Sequence, residues 1–295
     1  MIGAGGFIGS RLVTALEDAG HPVARFTREH PAVVDGRPAE GLRDAESVFF
    51  LATGLSPALA ERRPELVSAE HSLFRRLMDA FAGEGRRPVL VFASSGGTVY
   101  APDARPPYPE SAPTGATTAY GRAKLLLERE LLGRADAVQP VVVRLSNVYG
   151  PGQRIARGYG VLPHWLEAVV SGAPVRIFGD SSVVRDYVHV DDVVGGFLAV
   201  QRHVANGLRD RLPSVVNIGS GVPTSLEELL DIVTVTVGRQ ITVSREEGRS
   251  CDRKGNWLDA SLAWRALGWR AEIDLKDGVR QCWDATLTAH GDSGP

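Results

Sequence analysis

The chain has only 2 cysteines, Cys251 and Cys282, among 295 residues. Two cysteines form neither a disulfide framework nor a zinc site of the usual kinds. We therefore expect inert thiols and no metal.

The sequence also lacks an excess of charge of one sign and long apolar runs. The formal net charge is −2, which gives no electrostatic reason to expect nucleic acid or an anionic membrane as a partner. No apolar run approaches the roughly 20 residues that span a bilayer, and the first residues do not resemble a signal peptide. The sequence indicates a cytoplasmic globular protein with one large domain, or one domain and a smaller lobe.

The most informative segment is Tyr120-Gly121-Arg122-Ala123-Lys124. Residues four apart lie on one face of a helix, so the Tyr120 hydroxyl and the Lys124 ammonium can point in the same direction. A nearby lysine favours the phenolate and lowers the pKa of a tyrosine from about 10 towards neutral pH. The pair suits a general acid/base that interconverts an alcohol and a ketone, although the same spacing also occurs by chance on surface helices.

A glycine-rich turn opens the chain and leads into a helix. Gly3, Gly6 and Gly9 are spaced three apart, and apolar residues follow at helical spacing. Glycines let the backbone approach a pyrophosphate, which the free amides at a helix N-terminus can bind. The pattern predicts a dinucleotide site, and the alternative is a flexible terminus.

Only Met1 and Ile2 precede this turn, whereas the glycine fingerprint normally follows a buried central strand. We expect a truncated first strand. Two hypotheses follow. Either the natural chain begins several residues earlier, or another segment fills the place of the first strand in the sheet.

Apolar strands alternate with amphipathic helices, a pattern typical of a parallel sheet covered on both faces. Strands are predicted at 23–27, 47–52, 88–93, 138–145, 175–178 and 215–219, and helices at 64–83, 118–132, 161–170, 259–267 and 275–288. Strands become shorter from about residue 151. We predict an α/β fold with a doubly wound parallel sheet. Residues 1–150 would form the dinucleotide-binding domain, and 151–295 mainly a smaller C-terminal α/β substrate-binding lobe, with some segments returning to the sheet.

The end of the second predicted strand bears on the choice of cofactor. An acidic residue there binds the adenosine ribose of NAD, whereas an arginine accommodates the 2′-phosphate of NADP. This chain has Thr27-Arg28, with Glu29 one position later. Arg28 therefore favours NADP, and the alternative is a solvated surface charge.

Five segments match a known pattern in order and spacing: the glycine turn, the Ser-rich turn 94–100, Tyr120-x-x-x-Lys124, Arg-x-x-Asn-Val-Tyr-Gly-Pro at 144–151, and Arg-Asp-Tyr-Val-His-Val-Asp-Asp at 185–192. Together they resemble the extended short-chain dehydrogenase/reductases, and most closely the NAD-dependent epimerase/dehydratase family that acts on nucleotide sugars. The resemblance covers nearly the whole chain. It implies a Rossmann-type fold, an NAD or NADP cofactor and a nucleotide-diphosphate sugar substrate.

The resemblance also implies roles for the matching positions. Tyr120 would be the acid/base at the sugar C4 hydroxyl, and Lys124 would hold the nicotinamide ribose and lower the tyrosine pKa. The other implied cofactor-binding residues are Gly3, Gly6, Phe7, Ile8, Gly9, Arg28, Leu51, Ala52 and Ser94. The implied substrate-binding residues are Thr98, Asn147, Arg185, Arg249 and Asp252. The last two belong to Arg249-Ser250-Cys251-Asp252, which resembles the family's Arg-x-Gly-Asp segment.

Two positions near these motifs have other interpretations. Arg185 could instead form an ion pair with Asp191 or Asp192, and His189 is interpreted as a packed, structural residue.

The chain departs from the family at the Ser-rich turn. The family has Ser or Thr four residues before Tyr100, where this chain has Gly96. Ser95 or Thr98 would have to supply the catalytic hydroxyl, and Thr98 is favoured. Gly97 and Thr98 also stand where 4,6-dehydratases have an Asp-Glu pair, which argues against dehydratase chemistry and, since a glutamate is lacking, against a decarboxylase.

A second departure is Glu70, which stands where the family usually has an asparagine that steadies the active-site backbone. The sequence offers no physical reason for this change.

We expect an NAD(P)-dependent nucleotide-sugar epimerase that transiently oxidises the sugar C4 with Tyr120 as acid/base. The alternative is an NADPH-dependent nucleotide-sugar 4-ketoreductase, which Arg28 favours, whereas the segments 185–192 and 249–252 favour the epimerase. A non-catalytic nucleotide-binding protein is a third hypothesis, which Gly96 allows and the intact Tyr120–Lys124 pair opposes.

The resemblance further implies a homodimer. The helices near 66–83 and 118–132 would form its interface.

Overall fold

The computed structural model describes residues 1–155, 160–248 and 254–291. Its helices, numbered in chain order, are α1 Phe7–Asp18, α2 Pro57–Arg62, α3 Pro64–Glu84, α4 Gly96–Val99, α5 Ala119–Leu132, α6 Val161–Ser171, α7 Val190–Ala205, α8 Leu226–Val237, α9 Ser261–Leu267 and α10 Leu275–Gly291. Its strands are β1 Val33–Val34, β2 Arg37–Pro38, β3 Ser47–Phe50, β4 Val89–Ser95, β5 Gln139–Leu145, β6 Asn147–Tyr149, β7 Val175–Phe178, β8 Val184–His189, β9 Val215–Ile218, β10 Pro223–Ser225, β11 Val243–Glu246 and β12 Gly255–Asn256.

The main sheet is parallel, with the strand order β3-β4-β5-β9. Phe50 of β3 pairs with Phe92 of β4, Phe92 with Val142 of β5, and Val142 with Val215 of β9. A segment from beyond residue 151 thus completes the sheet. The predicted α/β fold with a parallel sheet is confirmed, whereas the predicted division at residue 150 stays a prediction.

The residues before the glycine turn occupy the place of a first strand. Ile2 donates its N–H to the Phe49 carbonyl at 2.9 Å and forms a parallel bridge to Phe26 on its other side. The prediction of a strand over 23–27 is wrong, since only Phe26 makes a bridge there. The physical reason is that its neighbour in the sheet, Met1–Gly3, is too short to form a continuous ladder of backbone hydrogen bonds with it.

Helices cover both faces of the sheet, because alternate strand residues point to opposite sides. The face toward α1 and α7 has a core that includes Leu12, Val13, Leu16, Val89, Val91, Val193 and Phe197. The face toward α3 and α5 has a core that includes Phe74, Leu77, Phe81, Leu90, Phe92, Leu127 and Leu131. The sheet is therefore doubly wound, and its carboxyl edge is left for a ligand.

A second, smaller sheet is built around β8. This strand pairs with β6 and β12 in parallel and with β10 antiparallel, and β7 and β11 form a separate parallel pair. The core beside it includes Tyr149, Trp165, Ile177, Leu229, Val279 and Trp283. This second sheet lies next to the carboxyl edge of the main one, because β6 follows β5 after a single residue.

The described ranges contain neither a membrane-spanning helix nor a metal-binding cluster. No helix there combines the length and the apolar character that crossing a bilayer requires. Those ranges also bring together no group of three or more His, Cys, Asp or Glu side chains that could hold a metal ion.

A buried ion pair joins α5 to the main sheet. Arg144 Nη2 lies 2.8 Å from Glu128 Oε2, and both side chains are almost completely buried. The hydroxyl of Ser94, at the end of β4, donates to Glu128 Oε1. The Arg144 guanidinium also lies 4.9 Å from the centre of the Tyr100 ring. Because both charges are removed from water, each depends on the other as its counterion.

Glu128→Gln is expected to lower the free energy of unfolding by about 3 kcal/mol, because the Arg144 charge stays buried without its counterion. Urea denaturation followed by circular dichroism measures this change. Glu17→Gln is the matched control, since Glu17 pairs with Arg25 at the exposed surface; its expected cost is below about 1 kcal/mol. Equal losses for the two variants would contradict the assignment of a structural role to the buried pair.

Candidate active site

A cavity of about 610 Å³ opens at the carboxyl ends of β4 and β5. Ligands of open parallel sheets bind at this edge. The walls carry three basic side chains, Lys124, Arg154 and Arg185, and none of the described residues that line the cavity is acidic. The cavity therefore suits an anionic ligand.

Most residues proposed from the sequence line this one cavity. They are Gly6, Phe7, Ile8, Gly9, Leu51, Ser94, Ser95, Thr98, Tyr120, Lys124, Asn147 and Arg185. Gly3, Arg28 and Ala52 lie outside its walls, and Arg249 and Asp252 lie outside the described residues.

The glycine turn has a geometry that other residues would disrupt. Gly3 has a φ of +92°, and a Cβ built on it would lie 2.6 Å from the Ala52 nitrogen. A Cβ on Gly9 would lie 2.1 Å from the Gly3 carbonyl oxygen. The Gly6 N–H closes the turn by donating to that carbonyl at 3.1 Å. The first amides of α1 have no partner within the helix, so the turn fits the pyrophosphate of a dinucleotide.

The start of α5 is fixed against the Ser-rich turn. Thr118 caps the helix, since its hydroxyl accepts a bond from the Gly121 N–H at 3.1 Å. A Cβ on Gly121 would lie 2.5 Å from the Thr98 carbonyl oxygen, so a glycine is needed where α5 approaches α4. This contact brings Tyr120 and Thr98 to the same cavity.

Lys124 is buried one helical turn after Tyr120. Its side chain is 4% exposed, and Nζ donates to the Ala93 carbonyl at 3.2 Å. Nζ lies 5.7 Å from the centre of the Tyr120 ring and 5.0 Å from that of Phe92. The two side chains thus share a helix face, as their spacing predicts.

Glu70 contacts the loop after β3. Its Oε2 accepts bonds from the Thr53 hydroxyl at 3.1 Å and from the Gly54 N–H at 3.2 Å. Burial lowers the pKa of the Lys124 ammonium, and the carboxylates of Glu70 and Glu128 partly oppose this shift. Glu70 therefore holds backbone beside the cavity, as the family asparagine would, and adds a negative charge near Lys124.

The Ser-rich turn offers hydroxyls of different availability. The Ser94 hydroxyl is already bonded to the buried ion pair, and Ser95 lines the cavity. Gly96 faces away from it, because a Cβ there would lie 2.7 Å from the methyl carbons of Leu258. Thr98 Oγ1 is buried and has no hydrogen-bond partner within the described chain. Thr98 is therefore the better candidate for a hydroxyl that binds a ligand.

Asn147 and Arg185 lie on neighbouring strands of the second sheet. Asn147 Nδ2 donates to the Asp186 carbonyl at 3.0 Å, and Arg185 Nη1 donates to the Val184 carbonyl at 2.8 Å. Both side chains line the cavity, where an amide and a guanidinium could bind a diphosphate.

The acidic residues after Arg185 have other partners. Asp191 lies 2.7 Å from Arg11 of α1, and the Asp192 carboxylate accepts bonds from the backbone amides of residues 272–273, each at 3.1 Å. The prediction that His189 is packed is confirmed: it is 1% exposed, and its Nδ1 caps α7.

Arg28 lies at the surface beside the loop that follows β3. It is exposed, and its Nη2 would lie 3.7 Å from a Cβ built on Gly54. Its role in choosing a cofactor stays a prediction.

Sequence reasoning missed several polar residues that line the cavity, and Ser146, Gln153 and Asn256 are among them. Ser146 Oγ and Gln153 Oε1 are buried without a hydrogen-bond partner in the described ranges, so both could bind a ligand. Ser146 lies inside the 144–151 motif and could have been proposed from it. Asn256 does not belong to any motif identified in the sequence, and only the fold brings it to the cavity.

The sequence of the chain is similar to those of known proteins. The sequence model of the NAD dependent epimerase/dehydratase family matches residues 1–219. The chain is 32% identical over 310 residues to the UDP-glucose 4-epimerase of Mycolicibacterium smegmatis, and the match covers 94% of this chain and 94% of that one. It is 27% identical to the dTDP-6-deoxy-L-talose 4-dehydrogenase (NAD(P)(+)) of Kitasatospora kifunensis, over 98% of this chain and 95% of that one.

The fold is also similar to solved structures. For the Thermus thermophilus UDP-glucose 4-epimerase in complex with NAD, the TM-score is 0.81 at 28% identity, with 98% of each chain covered. The resemblance and the Rossmann-type fold proposed from the sequence are confirmed.

Gly9→Ala is expected to weaken NADH binding by at least about tenfold, because the new methyl group would displace the Gly3 carbonyl and open the turn. Fluorescence titration with NADH measures the affinity. Gly5→Ala is the matched control: a Cβ on Gly5 meets no atom within 4 Å, and its affinity should be unchanged. Unchanged binding by Gly9→Ala would exclude this turn as the pyrophosphate site.

Proposed function

The chain belongs to the NAD-dependent epimerase/dehydratase family, and on that premise we propose that it is a nucleotide-sugar epimerase that transiently oxidises the sugar C4. The observation that carries the proposal is the composition of one cavity. Tyr120 and the buried Lys124 line it together with the glycine turn and with the Thr98 hydroxyl, which has no hydrogen-bond partner among the described residues. An acid/base pair, a hydrogen-bonding hydroxyl and a dinucleotide site are what alcohol–ketone chemistry needs.

In this proposal each side chain has a separate task. A dinucleotide held at the glycine turn would supply a nicotinamide ring that can take the hydride from the sugar C4 and give it back. Tyr120 takes the proton from the C4 hydroxyl and later returns it. Lys124 binds the nicotinamide ribose and, as a cation near the Tyr120 ring, favours the phenolate. Thr98 orients the C4 oxygen with its hydroxyl.

The charge of the cavity supports a nucleotide-diphosphate sugar as the substrate. Arg185 and Asn147 lie where β8 and β6 meet the cavity, and a forked cation with an amide suits a diphosphate. Arg249 and Asp252 stay candidates for the same substrate on the strength of their motif alone. The match to UDP-glucose 4-epimerases supports a UDP-sugar.

Elimination of water is less well supported. A dehydratase needs an acid and a base near the sugar besides the tyrosine, and Gly97 and Thr98 occupy the turn where 4,6-dehydratases have an Asp-Glu pair. The absence of any acidic side chain among the described cavity residues points in the same direction.

The second candidate is an NADPH-dependent nucleotide-sugar 4-ketoreductase. Arg28 favours it, because this exposed guanidinium lies beside the loop after β3. The relative that is a dTDP-6-deoxy-L-talose 4-dehydrogenase (NAD(P)(+)) supports the same candidate.

We also propose a cytoplasmic homodimer. Leu73 of α3 and Leu126 and Leu132 of α5 are each more than a third exposed, so the two helices could pair with a second copy through an apolar surface.

Tyr120→Phe is expected to reduce the turnover number for interconversion of UDP-glucose and UDP-galactose by at least about a hundredfold, because the proton carrier is removed. Tyr149→Phe is the matched control, since its hydroxyl is buried without a partner among the described residues, and its turnover should stay within twofold of wild type. Wild-type turnover in Tyr120→Phe would refute the proposed chemistry.

Mass spectrometry of denatured wild-type protein distinguishes the two candidate functions. Bound NAD⁺ supports the epimerase, and an empty protein that requires NADPH supports the ketoreductase.

Arg28→Ala is expected to weaken NADPH binding about tenfold and to leave NADH binding unchanged, if the guanidinium meets the 2′-phosphate. Arg25→Ala is the matched control, because Arg25 pairs with Glu17 at 2.6 Å. Equal effects on the two cofactors would show that Arg28 does not select between them.

A further inference from the structure

Asn256 connects the second sheet to the Ser-rich turn. It is 6% exposed and belongs to β12, which pairs with β8 so that Asn256 lies opposite Arg185. Its Nδ2 donates to the Gly97 carbonyl at 2.5 Å, across 159 residues of sequence. This bond is made to the residue directly before Thr98.

The turn that receives this bond has few contacts of its own to fix it. Gly96 and Gly97 are adjacent glycines, which are conformationally permissive. The four-residue helix α4 has no side-chain cap from Ser95. The orientation of Thr98 therefore depends on contacts from outside the turn.

Those contacts come from two sides. On one side, α5 packs at Gly121 against the Thr98 carbonyl. On the other side, Asn256 holds the Gly97 carbonyl, and Leu258 fills the space next to Gly96.

The segment that carries Asn256 is itself well anchored. The Leu258 N–H donates to the buried Asp186 carboxylate at 3.2 Å. Tyr108 donates its N–H to the Trp257 carbonyl at 3.0 Å and accepts a bond from the Asp259 N–H at 2.9 Å. Asn256 is therefore held by its neighbours and can act as a fixed support for the turn.

We propose that Asn256 is a positioning residue that holds the Gly97 carbonyl and so places the Thr98 hydroxyl toward the reacting sugar. Asn256 also lines the cavity, and in this proposal its effect on turnover passes through Thr98. The kinetic part of this inference rests on the proposed function. The structural part, that Asn256 fixes the turn, does not.

A double-mutant cycle tests the kinetic part. Asn256→Ala is expected to lower the turnover number about tenfold with the substrate KM within twofold, because a small displacement of a catalytic group is costly. In a Thr98→Val background the same change should have less than a twofold effect, because the group that it positions is gone. Equal reductions in both backgrounds, or an effect confined to KM, would overturn the proposal. Asn256→Leu, which keeps the volume and removes the donor, should behave like Asn256→Ala.

Hydrogen–deuterium exchange tests the structural part without turnover. The amides of residues 96–99 should exchange at least about fivefold faster in Asn256→Ala than in wild type, while those of α1 stay unchanged. Asn206→Ala, at the exposed end of α7, is the matched control and should alter neither exchange nor turnover. Unaltered exchange at 96–99 would overturn the inference. A wild-type protein that turns over no nucleotide sugar would instead refute the proposed function, and the exchange result would still decide the role of Asn256.

Discussion

The buried carboxylate of Asp186 is the interaction on which the rest of the site depends, because it joins three segments that are far apart in sequence. Its Oδ1 accepts bonds from the N–H and the hydroxyl of Ser220, at 2.9 and 2.7 Å, and its Oδ2 from the N–H groups of Gly221 and Leu258, both at 3.2 Å. Burial raises the pKa of this carboxyl, and the four donors favour the ionised form and oppose the shift. Asp186 thereby fixes β8 to the end of the main sheet and to the segment 255–258, so the cavity has walls from both sheets.

The charges in that cavity are coupled to its ligand. Burial disfavours the ammonium form of Lys124 and lowers its pKa. A diphosphate near Lys124 and Arg185 would favour the ammonium form again, because an opposite charge stabilises a cation in a low dielectric. By linkage, the charged lysine then favours the anion to the same extent. In a site without acidic lining residues in the described ranges, a bound anion would therefore oppose the effect of burial on the pKa of Lys124.

Local patterns predicted much of this molecule, and long-range contacts account for what they missed. The glycine turn, the Tyr120–Lys124 pair and the order of helices and strands depend on spacing within one element, which a sequence displays directly. The expected strand at 23–27 failed because strand formation depends on the length of its partner, and Met1–Gly3 offers little to pair with. The support from Asn256 depends on a contact 159 residues away, which no local pattern encodes.

The absence of a hydroxyl at Gly96 follows from packing. A Cβ at this position would point at Leu258, whose methyl carbons would lie 2.7 Å away, and Leu258 is itself fully buried. A serine or threonine here would have to displace a core side chain, and its hydroxyl would face apolar surroundings without a partner, which is unfavourable. Leu258 cannot move easily, since its backbone is bonded to Asp186. The same contacts that join the two sheets therefore exclude a hydroxyl from position 96. In the function that we propose, Thr98, whose hydroxyl is buried at the cavity wall, would take its place.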